Sequence, residues 1–131
     1  MTGIRTLALA ALVLSFGGAA ARAQGPKGAQ IFAENCSACH QPTGKGIPGA
    51  FPALDGDAFV QGPADVVAGT VLKGRGGMPS FSSDLTDEQV AAVLSYVRSA
   101  WSNHAAPVST ATVAAARKGS AAETPTVLPG H

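Results

Sequence analysis

The run Cys36-Ser37-Ala38-Cys39-His40 constrains this chain more than any other stretch. Two thiols three positions apart on a helical turn can each bond a vinyl group of a porphyrin, and the imidazole next to them can take one axial site on its iron. Cys-x-x-Cys-His therefore reads as a c-type haem attachment site. A redox-active disulfide is the first alternative, but it needs a βαβ setting that the flanking residues do not suggest. Zinc is the second, yet the chain has only two cysteines and no His-x3-5-His partner follows.

A chain of 131 residues holds one small domain. Met1 to Ala23 reads as a secretory signal peptide: Arg5 gives the positive start, Leu7 to Phe16 the apolar run, and Ala21-Arg22-Ala23 the cleavage site before Gln24. That run is short of the roughly 20 apolar residues needed to span a bilayer. Export to the periplasm is the expectation, and an oxidising compartment suits a paired-thiol motif. Only 13% of residues are charged and 5% aromatic. A covalently held porphyrin at the centre of the core explains how so few large side chains suffice. Without Arg5 and Arg22, seven of the nine basic residues remain against eight acidic ones. No basic face suggests nucleic acid, and docking must rely on local patches.

Beyond Pro26 a helix is expected to run into the motif, with Gly28, Phe32 and Cys36 four apart on one face. From Gln41 to Asp57 four glycines and three prolines break all periodicity, predicting an irregular loop around His40 lined by Phe51, Leu54 and Ile47. A helix is predicted from Pro63 or Ala64 to Lys73, with Val66, Val67, Thr70 and Val71 as its apolar face and Gly74 as its stop. The clearest helix spans Asp87 to Trp101: Thr86 and Gln89 form a capping box, Val90, Val93, Leu94, Val97 and Trp101 form a stripe, and Arg98 suits the C-terminal end. It is expected to cross the Gly28/Phe32 face. After Asn103 the Ala, Ser, Thr and Pro content argues against a packed core, leaving a short helix between Ser109 and Lys118, stopped by Gly119, and a disordered tail.

An electron-carrying haem held by histidine needs a sixth ligand, and a thioether there raises the potential. Met78, in Gly76-Gly77-Met78-Pro79, is the one methionine left after signal removal. His104 is the alternative ligand, and an open site the other possibility.

Together these residues resemble a class I c-type cytochrome over roughly Gly28 to Trp101. The elements that carry the likeness are Gly28-x3-Phe32-x3-Cys36, the Cys36–His40 motif, Pro52-Ala53-Leu54, Gly77-Met78-Pro79 and Tyr96. The resemblance implies an all-α cytochrome c fold of three to five helices around one haem c, bonded to Cys36 and Cys39. It further implies His40 and Met78 as iron ligands and the Pro52 carbonyl as acceptor for the His40 ring N–H. A narrower similarity, in Tyr96 to Asn103 and the segment after Pro107, is to cytochrome subunits of periplasmic or membrane-bound dehydrogenases, although Ser102 stands where a glycine is usual. The chain is thus expected to comprise a signal peptide (1–23), a cytochrome domain (24–105) and an extension (106–131).

The function this implies is that of an electron-transfer protein, not an enzyme: a periplasmic carrier between a dehydrogenase donor and an oxidase or other cytochrome acceptor. Phe51, Leu54, Phe81 and the C-terminal helix would bury the haem. Lys45, Lys73 and Arg75 could steer an acidic partner, with Arg75 alternatively facing a haem propionate. Competing readings are a fixed subunit of a dehydrogenase complex, and a haem sensor or enzyme with an open sixth site.

Overall fold

Apolar residues at helical spacing, interrupted by glycine and proline, give five helices and no strand among the described residues. The structure is a computed structural model and describes residues 25–122. The expected signal peptide and the end of the tail lie outside them. The elements are α1 (Gly25–Asn35), α2 (Ser37–His40), α3 (Ala64–Lys73), α4 (Asp87–Val97) and α5 (Thr110–Ala122). Among the described residues no helix is long and apolar enough to cross a membrane.

α1 and α4 cross, as the sequence predicts, and Gly28 is the reason they can. A Cβ there would lie 2.2 Å from the Ala92 carbonyl oxygen, so only a residue without one lets the backbones approach this closely. Beside the crossing, Phe32 packs against Tyr96 and Trp101, with ring centroids 5.6 and 5.4 Å away. Val90, Ala91, Ala92, Val93, Leu94 and Val97 are all buried, so α4 is the central element of the core. Its start is the expected capping box: the Gln89 N–H donates to Thr86 Oγ1 and the Thr86 N–H to Gln89 Oε1.

Three expectations need correction. α4 stops at Val97 rather than Trp101, because Asn103 Nδ2 donates to the Val97 carbonyl and the chain turns back through Trp101 at φ 53°. Arg98 caps α4, at the end where a cation is expected, and is buried there: it is 5% exposed and donates to the carbonyls of Val60, Gly62 and Ala106. On α3 the buried residues are Val67, Ala68 and Leu72, while Val66 faces solvent. Gly74 does end that helix, at φ 78°. Finally, α5 runs through Gly119 to Ala122 and packs on α3 and α4. Val108 and Val113 are buried there, so the segment after Asn103 does contribute to the core; its alanines bring α5 close to α3, and the packing outweighs the roughly 1 kcal/mol that a helical glycine costs.

Candidate functional site

α1 ends just before Cys36, and the chain tightens into α2, whose last residue is His40. The His40 N–H donates to the Cys36 carbonyl at 3.0 Å, which keeps the motif helical. Cys36 and Cys39 are free thiols, both half-buried. Burial, and secondarily the neighbouring Cys39, push the Cys36 thiol up to about 11. Among the described residues no three His, Cys, Asp or Glu side chains gather into a group that could hold a metal ion.

Cys36, Cys39 and His40 open onto a cavity of about 540 Å³, in the range of small-molecule and cofactor sites. The loop residues Ala50 to Leu54, then Phe59 and Val60, and last Arg75 to Pro79 with Phe81 also line it. Met78 is in that last group, so the structure brings the motif histidine and the candidate sixth ligand to one cavity. Phe51, Leu54 and Phe81 line it as expected. Ile47 does not; its backbone pairs with Phe51 and its side chain is 40% exposed. α4 contributes no lining residue either, contrary to expectation, since it supports α1 from behind.

His40 is 8% exposed and its Nδ1 lies 2.9 Å from the Pro52 carbonyl oxygen. A carbonyl can only accept, so Nδ1 carries the proton, donates it, and leaves Nε2 as the nitrogen able to bind a metal. Two glycines let the loop deliver Pro52 there. Gly46, at φ 61°, presses on the Phe51 and Pro52 carbonyls, and Gly44, at φ 68°, lies against the Trp101 ring. The Gly44 carbonyl accepts from the N–H groups of Leu54 and Asp55.

What sequence reasoning missed is that residues 101–103 hold this loop. Asn103, fully buried, accepts from the Gly56 N–H and donates to the Leu54 and Val97 carbonyls. Ser102 gives both its N–H and its hydroxyl to Asp55 Oδ1, at 3.0 and 2.5 Å, holding that carboxyl below its ordinary value. Trp101 Nε1 donates to the Pro42 carbonyl. A polar Ser-Asn pair directly after an apolar stripe was the available signal.

Met78 belongs to a tight turn in which the Arg75 and Met78 backbones exchange hydrogen bonds. Gly74 folds under that turn so closely that a Cβ would lie 2.5 Å from the Met78 carbonyl oxygen. The rival ligand His104 is exposed, tied through its N–H to Gln61, and not part of the cavity wall. Arg75 sits at the cavity rim with its guanidinium 5.3 Å from the Phe59 ring centroid. Lys45 lies in a separate shallow depression with Pro48 to Ala53. The donor set of two free thiols, a histidine with one oriented nitrogen and a thioether fits a covalently attached haem.

Residues 23–97 match the family described as cytochrome c oxidase, cbb3-type, subunit III. Cytochrome c-552 of Thermus thermophilus is 38% identical over 93 residues, covering 56% of this chain and 67% of that protein. Cytochrome c6 of a Picosynechococcus species is 35% identical over 101 residues, covering 70% of this chain and 86% of the relative. The cytochrome c subunit of a quinone-dependent alcohol dehydrogenase from Gluconobacter oxydans is 34% identical over 94 residues, but these are 63% of this chain and only 20% of that subunit. The match thus takes in nearly all of one small cytochrome and a fifth of a much longer subunit. With the motif, the cavity and these relatives in agreement, the chain belongs to the cytochrome c family, as a class I mono-haem cytochrome that carries covalently attached haem c and transfers electrons rather than acting as an enzyme itself.

Proposed function

We propose that this protein is a periplasmic one-electron carrier, with His40 and Met78 as the axial ligands of a haem bonded to Cys36 and Cys39, moving electrons from a dehydrogenase towards a respiratory-chain acceptor. The observation that carries the reading is that Met78, the sole methionine after the expected signal peptide, lines the same cavity as the motif histidine. When bound, the haem supplies a ferric/ferrous couple whose potential a thioether ligand raises.

The protein's part is positional. Pro52 fixes the His40 ring and increases the basicity of Nε2. Phe51, Leu54, Phe59 and Phe81 present apolar walls that keep water away and disfavour additional positive charge. Arg75, at the rim, offers a cation to an acidic group or partner. In this reading residues 1–23 are the exported protein's signal peptide, residues 24–105 the cytochrome domain and residues 106–131 an extension; α5 lies beyond the family match, which ends at residue 97.

A second reading, a fixed subunit of a dehydrogenase complex, is favoured by the similarity to the Gluconobacter alcohol dehydrogenase subunit. Potentiometric titration of the exported, haem-loaded protein, followed by exposure of the reduced form to carbon monoxide, tests the carrier. A reversible one-electron transition without a carbon monoxide adduct supports it. Ready adduct formation contradicts it and favours a sensor or enzyme with an open sixth site.

A further inference from the structure

Arg117 lies on α5, twenty residues beyond the end of the family match, yet its three contacts reach back to the segment that follows Met78. Nη1 donates to the Ser82 carbonyl at 2.5 Å, Nη2 to the Leu85 carbonyl at 3.0 Å, and Nε to Asp87 Oδ1 at 2.6 Å. Ser82 and Leu85 belong to a turn closed by hydrogen bonds from the Asp84 and Leu85 N–H groups to the Phe81 carbonyl. Phe81 is itself a wall of the cavity, and its N–H donates to the Val71 carbonyl on α3. One planar guanidinium therefore grips the turn and the first residue of α4 in a fixed fork. Val113, fully buried, docks α5 and so sets where that fork stands.

We propose that Arg117 is a positioning residue: it makes α5 a latch that holds the Met78 loop closed against the cavity. The proposal rests on the reading of Met78 as an iron ligand. For the thioether to leave, residues 74–82 must swing outward. On the N-terminal side the loop is held by the Arg75–Met78 turn under Gly74, and immediately after Met78 by Ser80 Oγ donating to the Leu72 carbonyl. Beyond Phe81 the hold passes to Arg117. Releasing it raises the population of loop-open protein without removing the ligand, and an external ligand then binds with an apparent affinity that rises with that population.

The test is imidazole binding to the ferric, haem-loaded protein, read from the loss of the weak far-red absorption band, in native protein, Arg117→Ala and Ile31→Ala. Ile31 is buried on α1, which does not contact α5, so its variant controls for general destabilisation. Arg117→Ala is expected to keep the far-red band and to bind imidazole about tenfold more tightly than native protein, while Ile31→Ala, although its unfolding temperature falls, binds as native. Equal shifts in both variants, or none in Arg117→Ala, overturn the latch. A native protein lacking the far-red band overturns the Met78 reading and the latch with it, and that result is distinct from a native band with unchanged affinities.

Discussion

Asn103 and Leu54 are joined by a 2.9 Å hydrogen bond across 49 positions of chain, from the buried amide of one to the carbonyl of the other. Leu54 lies two residues from Pro52, whose carbonyl accepts from His40. The orientation of the motif histidine is therefore supported from the far end of the fold. Asn103→Ala would strand the Gly56 N–H and the Val97 carbonyl, and would leave the Leu54 carbonyl only the long 3.4 Å bond from the Asp57 N–H. A loss of about 2–4 kcal/mol is expected, measured as a lower midpoint in guanidinium unfolding of the haem-loaded protein with an unchanged slope.

Gly28→Ala tests the α1–α4 crossing. The added methyl would meet the Ala92 carbonyl and Tyr96 Cβ, at 2.2 and 2.8 Å, and neither can move without shifting a helix. We expect a cost of about 3 kcal/mol, seen as a fall in Tm of roughly 12–24 °C. A change of less than about 1 kcal/mol would mean that the helices do not approach this closely.

The Ser102–Asp55 pair makes stability depend on pH in a known direction. Two hydrogen bonds from Ser102, with a smaller contribution from Lys45, lower the Asp55 value in the folded protein below its ordinary 3.8. Their stabilisation is thus complete above that ordinary value and disappears as pH falls through the lowered one. Ser102→Ala is expected to be less stable than native protein at pH 7, the gap closing in acid. Parallel stability–pH curves for the two would show that the pair does not hold in solution.

Most of the fold is legible in the sequence because its signals are local. The Thr86/Gln89 capping box, the stripe on α4, Gly74 after α3 and the Gly28/Phe32/Cys36 face all lie within a few turns of the residues they organise. Less legible are contacts whose partners are distant in sequence. The helix-end place of Arg98 is readable, but not the carbonyls of Val60 and Gly62 that it bonds, and the alanine-rich stretch around Val113 reads as a poor core former until α3 and α4 supply its partners. The end of α4 is hidden for the same reason: Trp101 continues the periodicity, but Asn103 caps Val97 first. At the site, the motif and Met78 can be read directly, whereas the clamp formed by residues 101–103 depends on a loop that has no periodicity to read.

The most direct measurement is the absorption spectrum of the ferric, haem-loaded protein beside that of Met78→Ala. A weak far-red band in the native protein that vanishes in the variant is the expected result, and it would identify Met78 as the second iron ligand. A band that survives in Met78→Ala, or is absent from both, would contradict His40/Met78 ligation and with it the proposed carrier.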